Sequence, residues 1–202
     1  MKTIVWDVDD VLNDLMRSWF EDWVSYGGGA CPLGYEQISV NPPQELLGIS
    51  KPEYLQSLDD FRLSGKAARM QPVPEVFEWF CLHGEKAHNI ALTATPLRAG
   101  SVSAEWVMRN FGRWIRSFSM VPSQRPGVDT GGNHSSKTEF LRWWGKGDIL
   151  VDDSEENVTG ALSLGLQAVL FPRPWNRAEL TIPETLIRLT EMIGGPDQGR
   201  EG

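Results

Sequence analysis

Cysteine and histidine are scarce in this chain, with two of the first and three of the second among 202 residues. Cys31 and Cys81 cannot make a disulfide framework, and no C-x-x-C pair or histidine cluster stands at zinc-binding spacing. Positive charge is short as well: 19 Lys and Arg face 27 Asp and Glu, a formal net charge of −8. That balance repels a phosphate backbone or an anionic membrane surface on average, so nucleic acid and membrane are excluded as expected partners. Long apolar runs are also missing. The opening Met1-Lys2-Thr3-Ile4-Val5-Trp6-Asp7 runs straight into carboxylates, which argues against a signal peptide or membrane span there and leaves a soluble, cytoplasmic protein as the expectation.

What is present is a near-normal apolar content, 41%, with nine tryptophans. This length and composition allow one globular domain with a real core and room for an insertion. Thr3 to Trp6 reads as a strand, and apolar residues at Leu12, Leu15, Met16, Trp19, Phe20, Trp23 and Val24 then keep helical spacing. From Tyr26 to Ser50 the chain is too rich in Gly and Pro for long elements. A second helical stretch is predicted over about Pro52 to Met70, and Pro74 stands near the first turn of a helix through Leu82. Strand-like runs at His88–Leu92, Trp114–Val121, Asp148–Val151 and Gln167–Phe171 alternate with helical runs at Leu97–Asn110, Lys137–Trp144 and Val158–Leu164. Short strands alternating with helices mean right-handed βαβ units, hence an α/β fold with a doubly wound parallel sheet. The expected division is a core of residues 1–12 and 72–193, an insertion of 13–71, and a frayed tail of 194–202.

In such sheets ligands bind beyond the carboxyl ends of the strands. Asp7-Val8-Asp9-Asp10 follows the first strand and Asp152-Asp153 the fourth. Carboxylates at two strand ends repel one another unless a cation neutralises them, and hard oxygen ligands in that number suit Mg²⁺. The run Ala91-Leu92-Thr93-Ala94-Thr95-Pro96 offers a hydroxyl and backbone N–H groups at an expected helix N-terminus, an anion site. Ser136-Lys137-Thr138-Glu139 fits a capping box and puts Lys137 in the first turn of a helix at the same edge.

Two aspartates two apart on the first strand, a threonine on the second, a lysine opening a helix and an Asp-Asp pair on the fourth resemble the four ordered motifs of the haloacid dehalogenase-like phosphohydrolase superfamily. The likeness spans the whole chain, with 13–71 where that superfamily often inserts a helical cap. Asp7 to Leu12, Met70 to Pro74 and Phe171-Pro172-Arg173-Pro174-Trp175-Asn176 look more narrowly like the 5'(3')-deoxyribonucleotidase branch.

This resemblance implies a Mg²⁺-dependent phosphatase acting on a small phosphorylated metabolite, with a nucleoside or deoxynucleoside 5'-monophosphate the first candidate. It implies Asp7 as the nucleophile that forms an aspartyl-phosphate and Asp9 as general acid and then base. By the same carry-over Mg²⁺ is held by the Asp7 side chain, the Asp9 backbone carbonyl and Asp152. Thr93 and Ala94 would bind the phosphoryl oxygens, and Lys137 would neutralise charge on phosphate and nucleophile. Asp10 departs from the pattern, since many relatives carry Gly there, and it receives no role.

Other readings stand beside these. Asp7 and Asp9 could simply cap the next helix. Asp153, with Glu156 three residues on, fits a helix N-cap as well as a place behind the metal ligands. Thr95 before Pro96 reads as an N-cap rather than a phosphate ligand. Lys146, a rival for the lysine role, belongs to a turn before the fourth strand. Arg62, Lys66 and Arg69 fall on one helix face, a solvated one or the insertion's contact with an anion. Trp19 and Trp23 are at core spacing, so packing is preferred over stacking on substrate. His134 receives no role. Gly131 to Thr138 comes within one residue of a phosphate-binding P-loop but lacks the strand that must precede it. A phosphomutase or phosphotransferase could use the same aspartyl-phosphate, and a non-catalytic metabolite-binding module is the alternative of another class. Oligomeric state is left open.

Overall fold

The computed structural model describes residues 1–26, 31–123, 125, 127–128, 131 and 134–194. Five strands, β1 (Thr3–Trp6), β2 (His88–Thr95), β3 (Ile115–Pro122), β4 (Ile149–Asp152) and β5 (Gln167–Leu170), form one parallel sheet in the order β3-β2-β1-β4-β5. The α/β, doubly wound expectation therefore holds. The order reverses at β1, so the carboxyl ends of β1 and β4 lie side by side at the switch point where such sheets bind ligands.

The central strands β1 and β4 and most of β2 are buried on both faces, which is why the apolar residues of β1 and β4 run almost without interruption, whereas the edge strand β3 exposes Arg116 and Ser117. Ile4 and Trp6 of β1 join a cluster with helices α4 (Pro74–His83), α5 (Gly100–Phe111) and α8 (Ile182–Gly194). Val5 points the other way, into a cluster with α6 (Lys137–Trp144) and α7 (Glu155–Ser163). The indole N–H of the fully buried Trp6 is satisfied by Asn89 Oδ1 at 2.9 Å. At Gly160 the two covering helices touch, and a Cβ there would stand 2.0 Å from the Thr138 hydroxyl.

Between β1 and α4 the chain leaves the sheet and folds on itself. Helices α1 (Leu15–Ser25), α2 (Lys51–Arg62) and α3 (Gly65–Ala68) enclose a separate apolar cluster. Trp19 is 1% exposed in it, edge-on to Tyr54, with Trp23 stacked beside it, so both tryptophans pack the insertion. The insertion joins the core through two crossing segments, where Asn13 bridges Pro72 and the Val73 N–H donates to the Leu12 carbonyl.

Several expectations shift. The helix predicted over Pro52 to Met70 divides because the Ser64 hydroxyl accepts from the N–H groups of Lys66 and Ala67 and starts a new helix. Arg62, Lys66 and Arg69 thus share no helix face. β2 runs three residues past the predicted Leu92, carried by continued pairing with β3 as far as Thr95 and Pro122. Lys146 lies before β4, at the opposite edge from the strand ends. The tail expected over 194–202 lies outside the described residues except for Gly194, which closes α8, and the P-loop-like stretch is described only in part. Among the described residues no helix is long and apolar enough to cross a membrane.

Candidate functional site

Parallel pairing of β1 with β4 carries both chains to the same edge: the Asp7 N–H still donates to the Val151 carbonyl, so Asp7 stands next to Asp152 and Asp153. Oxygens of these three carboxylates all lie within 4.8 Å of one another, and all three residues are buried. Lys137 comes in from the first turn of α6, 2% exposed, with its ammonium 2.6 Å from Asp7 Oδ1 and 2.8 Å from Asp152 Oδ2. Its helix is capped as expected at Ser136, whose hydroxyl accepts from the Glu139 N–H. The return arm differs, because the Glu139 carboxylate accepts from the N–H and hydroxyl of Ser135.

One lysine does not balance three acids in a dry site. Burial first, then the charges of Asp152 and Asp153, push the Asp7 pKa well above the usual carboxylate range despite Lys137. Burial and the neighbouring Asp152 and Asp10 push Asp153 up to about 7. Burial pulls the Lys137 pKa down, but Asp152 and Asp7 outweigh it, so its pKa rises and it stays charged. The donor set, hard carboxylate oxygens gathered with a deficit of positive charge, fits a divalent cation.

Asp153 is not a helix cap. Ser154 is the N-cap of α7, accepting from the Asn157 N–H, while Asp153 Oδ2 accepts from the Trp175 indole at 2.8 Å. Asp152 Oδ1 accepts from the Ser154 N–H and from Asn157 Nδ2. The helix-capping reading of Asp7 fails for the same kind of reason: its Oδ1 accepts from the Val8 N–H and meets Lys137.

Asp9 is turned away from this cluster. Its carboxylate accepts from Asn13 Nδ2 at 3.3 Å and pairs with Arg62 Nη2 of the insertion at 3.0 Å. Asp10 adopts φ 64°, the left-handed region in which glycine is at ease, and this conformation sends its side chain out of the cluster to accept from the Met16 N–H at the start of α1. Burial raises its pKa to about 7 against the charge of Arg173. Arg173 in turn donates from Nε to the Asp10 carbonyl and pairs with Asp14, gripping the crossing segment from the loop after β5.

Thr93 and Ala94 lie within β2, not at a helix N-terminus, since helical structure begins only at Leu97 and α5 at Gly100. Thr93 is 0% exposed and its hydroxyl has no partner among the described residues, while Ala94 is exposed. Thr95 is not an N-cap: its hydroxyl is buried and likewise unpartnered. A buried hydroxyl left unpaired costs about 1–3 kcal/mol, a recurrent mark of sites that await a ligand or water.

Sequence reasoning missed the partners of these residues. Arg62 also meets Asp59, a carboxylate 1% exposed that pairs with Arg98 and Arg125 from the loops after β2 and β3. The i, i+3 spacing of Asp59 and Arg62 was a signal, but the arginines that complete the group lie 39 and 66 residues from Asp59.

No protein-family model and no curated protein sequence matches the chain. Solved structures do. A haloacid dehalogenase-like family hydrolase from Streptococcus pneumoniae is 14% identical, with 93% of this chain and 90% of that one covered at a TM-score of 0.58. A subfamily IA hydrolase of the same superfamily from Geobacter sulfurreducens is 15% identical, with 96% and 97% covered at 0.56. Protein Tyrosine Kinase A of Mycobacterium tuberculosis is 17% identical, with 96% and 98% covered at 0.64. The fold is thus the Rossmann-like haloacid dehalogenase fold. A kinase and hydrolases share it, so activity has to be argued from the site.

Proposed function

We propose that this chain is a phosphoric monoester hydrolase in which Asp7 is the nucleophile. The observation that carries the reading is the meeting of Asp7, Asp152 and Asp153 with a single buried lysine at the switch point of the sheet. In the first half, an Asp7 oxygen attacks phosphorus, the bond from phosphorus to the ester oxygen breaks, and Asp9 gives its proton to the departing alcohol. In the second half, water attacks phosphorus, Asp9 takes the proton of that water, and inorganic phosphate leaves with Asp7 restored. Lys137 offsets charge on the phosphoryl group and on Asp7 throughout, and the unpartnered Thr93 hydroxyl and the Ala94 N–H are the donors assigned to the phosphoryl oxygens. The carboxylates of Asp7 and Asp152 with the Asp9 carbonyl would hold Mg²⁺, backed by Asp153, and the ion would supply further neutralisation of phosphoryl charge. Arg62 pairs with the Asp9 carboxylate, so the first half requires Arg62 to be drawn away or shared. The insertion, residues 13–71, acts as the cap that carries Arg62 to the site.

A nucleoside or deoxynucleoside 5'-monophosphate is the first ester to assay, on the strength of the Asp7–Leu12, Met70–Pro74 and Phe171–Asn176 stretches. The test is phosphate release from p-nitrophenyl phosphate and a nucleotide panel, with Mg²⁺ and with EDTA. Release that needs Mg²⁺ and is lost in Asp7→Asn is expected; full activity in that variant or in EDTA would overturn the proposal. A phosphotransferase would move phosphate to an acceptor hydroxyl without releasing it, and product analysis separates the two.

A further inference from the structure

Beside Asp9, between α5 and the insertion, lies a small cavity of about 30 Å³. Asp9, Asn13, Arg62, Thr95 and Ser103 provide its polar wall, and Met70 and Trp106 are among the apolar residues that line it. The Trp106 indole N–H is already given to the Met70 carbonyl at 2.9 Å, so Trp106 offers only carbon. Three buried polar atoms of the wall have no partner among the described residues: Arg62 Nε, Thr95 Oγ1 and Ser103 Oγ. Thr95 is 1% exposed.

The two terminal nitrogens of Arg62 pair with Asp9 and Asp59, so its charge is matched and its Nε–H is the donor left unpaired among the described residues. Thr95 and Ser103 add two hydroxyls that can donate or accept. Asp9 and Asn13 also border the cavity but are bonded to Arg62, to each other and to the Asp10 and Leu15 N–H groups, so the polar groups left to satisfy are one N–H and two hydroxyls, which an uncharged hydroxyl group answers. A space of 30 Å³ admits only a few non-hydrogen atoms. Asp9 borders the same space, and under the phosphatase reading it protonates the departing alcohol, so the part of a substrate that reaches in is the carbon next to the ester oxygen.

We infer that this cavity is a hydroxyl-recognition site for the alcohol carbons adjacent to the ester. The enzyme accordingly selects phosphomonoesters of polyols or sugars over plain alkyl or aryl esters, with Thr95 and Ser103 as specificity residues. This rests on the phosphatase reading for its orientation. A polar site rejects an analogue that lacks the hydroxyl because its own buried groups are then left unpaired.

A matched pair of substrates tests it: propane-1,2-diol 1-phosphate and n-propyl phosphate, which differ by one hydroxyl, assayed on the full chain with Mg²⁺. The kcat/KM of the diol ester is expected to exceed that of the propyl ester at least about tenfold. That ratio should fall several-fold in Thr95→Val and in Ser103→Ala and approach one in the double variant, while Thr95→Ser keeps it. A substitution that only loosened the fold would lower both rates and leave the ratio alone. A ratio near one in the unaltered protein, a ratio unchanged by Thr95→Val and Ser103→Ala, or a preference for the carboxylate-bearing 3-phosphoglycerate would overturn the inference. If neither ester is hydrolysed, the phosphatase reading fails, and calorimetric titration with the same pair judges the cavity. Tighter binding of the diol ester that is lost in Thr95→Val supports the inference, and equal binding of the two esters overturns it.

Discussion

Two clusters of buried charge in this molecule are built in opposite senses. At the sheet edge three carboxylates, Asp7, Asp152 and Asp153, share one lysine. At the seam between insertion and core one carboxylate, Asp59, is shared by three arginines, Arg62, Arg98 and Arg125. Burial raises the carboxylate pKa in both, but the outcomes differ. Asp7 ends well above the ordinary range, whereas hydrogen bonds from Arg125 and Arg98 and the charges of Arg125 and Arg62 hold Asp59 below it. Burial alone therefore does not tell a binding site from a structural one; the count of opposite charges does. The first cluster lacks positive charge and is suited to a cation. The second contains its own counter-charges and works as a latch between Asp59 of α2 and the loops that follow β2 and β3.

The largest effect that separates the two is expected from Asp7→Asn. Turnover should fall at least about a thousandfold, the scale seen when a nucleophile is removed from a group that acts as a unit. The metal-free protein should melt higher at the same time, because one of three crowded charges has gone while the asparagine oxygen still accepts from Lys137. Phosphate release and a thermal melt in EDTA check both signs. A lower melting temperature would place Asp7 among the balanced charges and erase the contrast.

At the latch the sign reverses. Asp59→Asn leaves three arginines facing one another and should destabilise the protein by about 2–4 kcal/mol, toward the low end of buried-pair losses because Arg98 is half exposed. Denaturant unfolding measures it. Stability equal to that of the unaltered protein would mean that the latch carries no load.

These two clusters also show how far the sequence could be read. The sheet-edge residues were legible because each stands directly after a strand or opens a helix, and strand order in an α/β sheet brings such positions together. Asp7, Lys137, Asp152 and Asp153 accordingly meet. The latch was not legible, since its arginines come from two loops and an insertion whose mutual placement no residue spacing encodes. Arg62 looked like part of one helix face with Lys66 and Arg69 until Ser64 proved to start a new helix. Asp10 was readable only as a departure from Gly. Its left-handed backbone and the turning of its carboxylate toward Met16 go with a local bond from its N–H to Asn13 and a tertiary one from Arg173 to its carbonyl. Thr95 was misread because β2 outlasts its apolar run while paired to β3.

Mg²⁺ should act on one cluster and not the other. A ligand at a hundredfold its Kd stabilises by about 2.7 kcal/mol, so millimolar Mg²⁺ should raise the melting temperature by several degrees. The pH dependence follows from the raised acids. Asp153 and Asp10 titrate near 7 in the folded protein, against about 3.9 for an exposed aspartate. The folded state therefore binds more protons between about pH 4 and 7, and the stability these acids contribute, full below about pH 4, is lost as pH rises through 7. Without metal the melting temperature should decline over that window. Protons compete with Mg²⁺ for the cluster, so the Mg²⁺-induced rise should be larger at pH 8 than at pH 5.5. An equal rise at both would separate the metal from these carboxylates. Asp10 turns its carboxylate to α1, but its charge is one of those that raise Asp153, so Asp10→Asn should flatten part of the metal-free decline and ease the competition of protons with Mg²⁺ at pH 7.

The smallest effect probes how the crowded cluster is tuned. Trp175 gives its indole N–H to Asp153 Oδ2 at 2.8 Å while its ring packs edge-on against Tyr35 of the insertion. Trp175→Phe keeps an aromatic ring and removes that one donor. The hydrogen bond holds the Asp153 pKa down against burial and the charge of Asp152, so its loss should raise it further and leave the group more protonated at neutral pH. Two consequences follow. Stability in EDTA should fall by about 1 kcal/mol, the net worth of one hydrogen bond. The Mg²⁺ concentration needed to reach half of the melting-temperature rise should increase several-fold at pH 7, and less as the pH is raised and protons compete less. Arg98→Met is the matching perturbation of the latch. It leaves Asp59 two arginines and should shift stability by a similar or smaller amount, with the midpoint of the Mg²⁺ response unchanged, because the latch lends no charge to the metal. A common shift of that midpoint in both variants would show that the two clusters are one electrostatic unit rather than two.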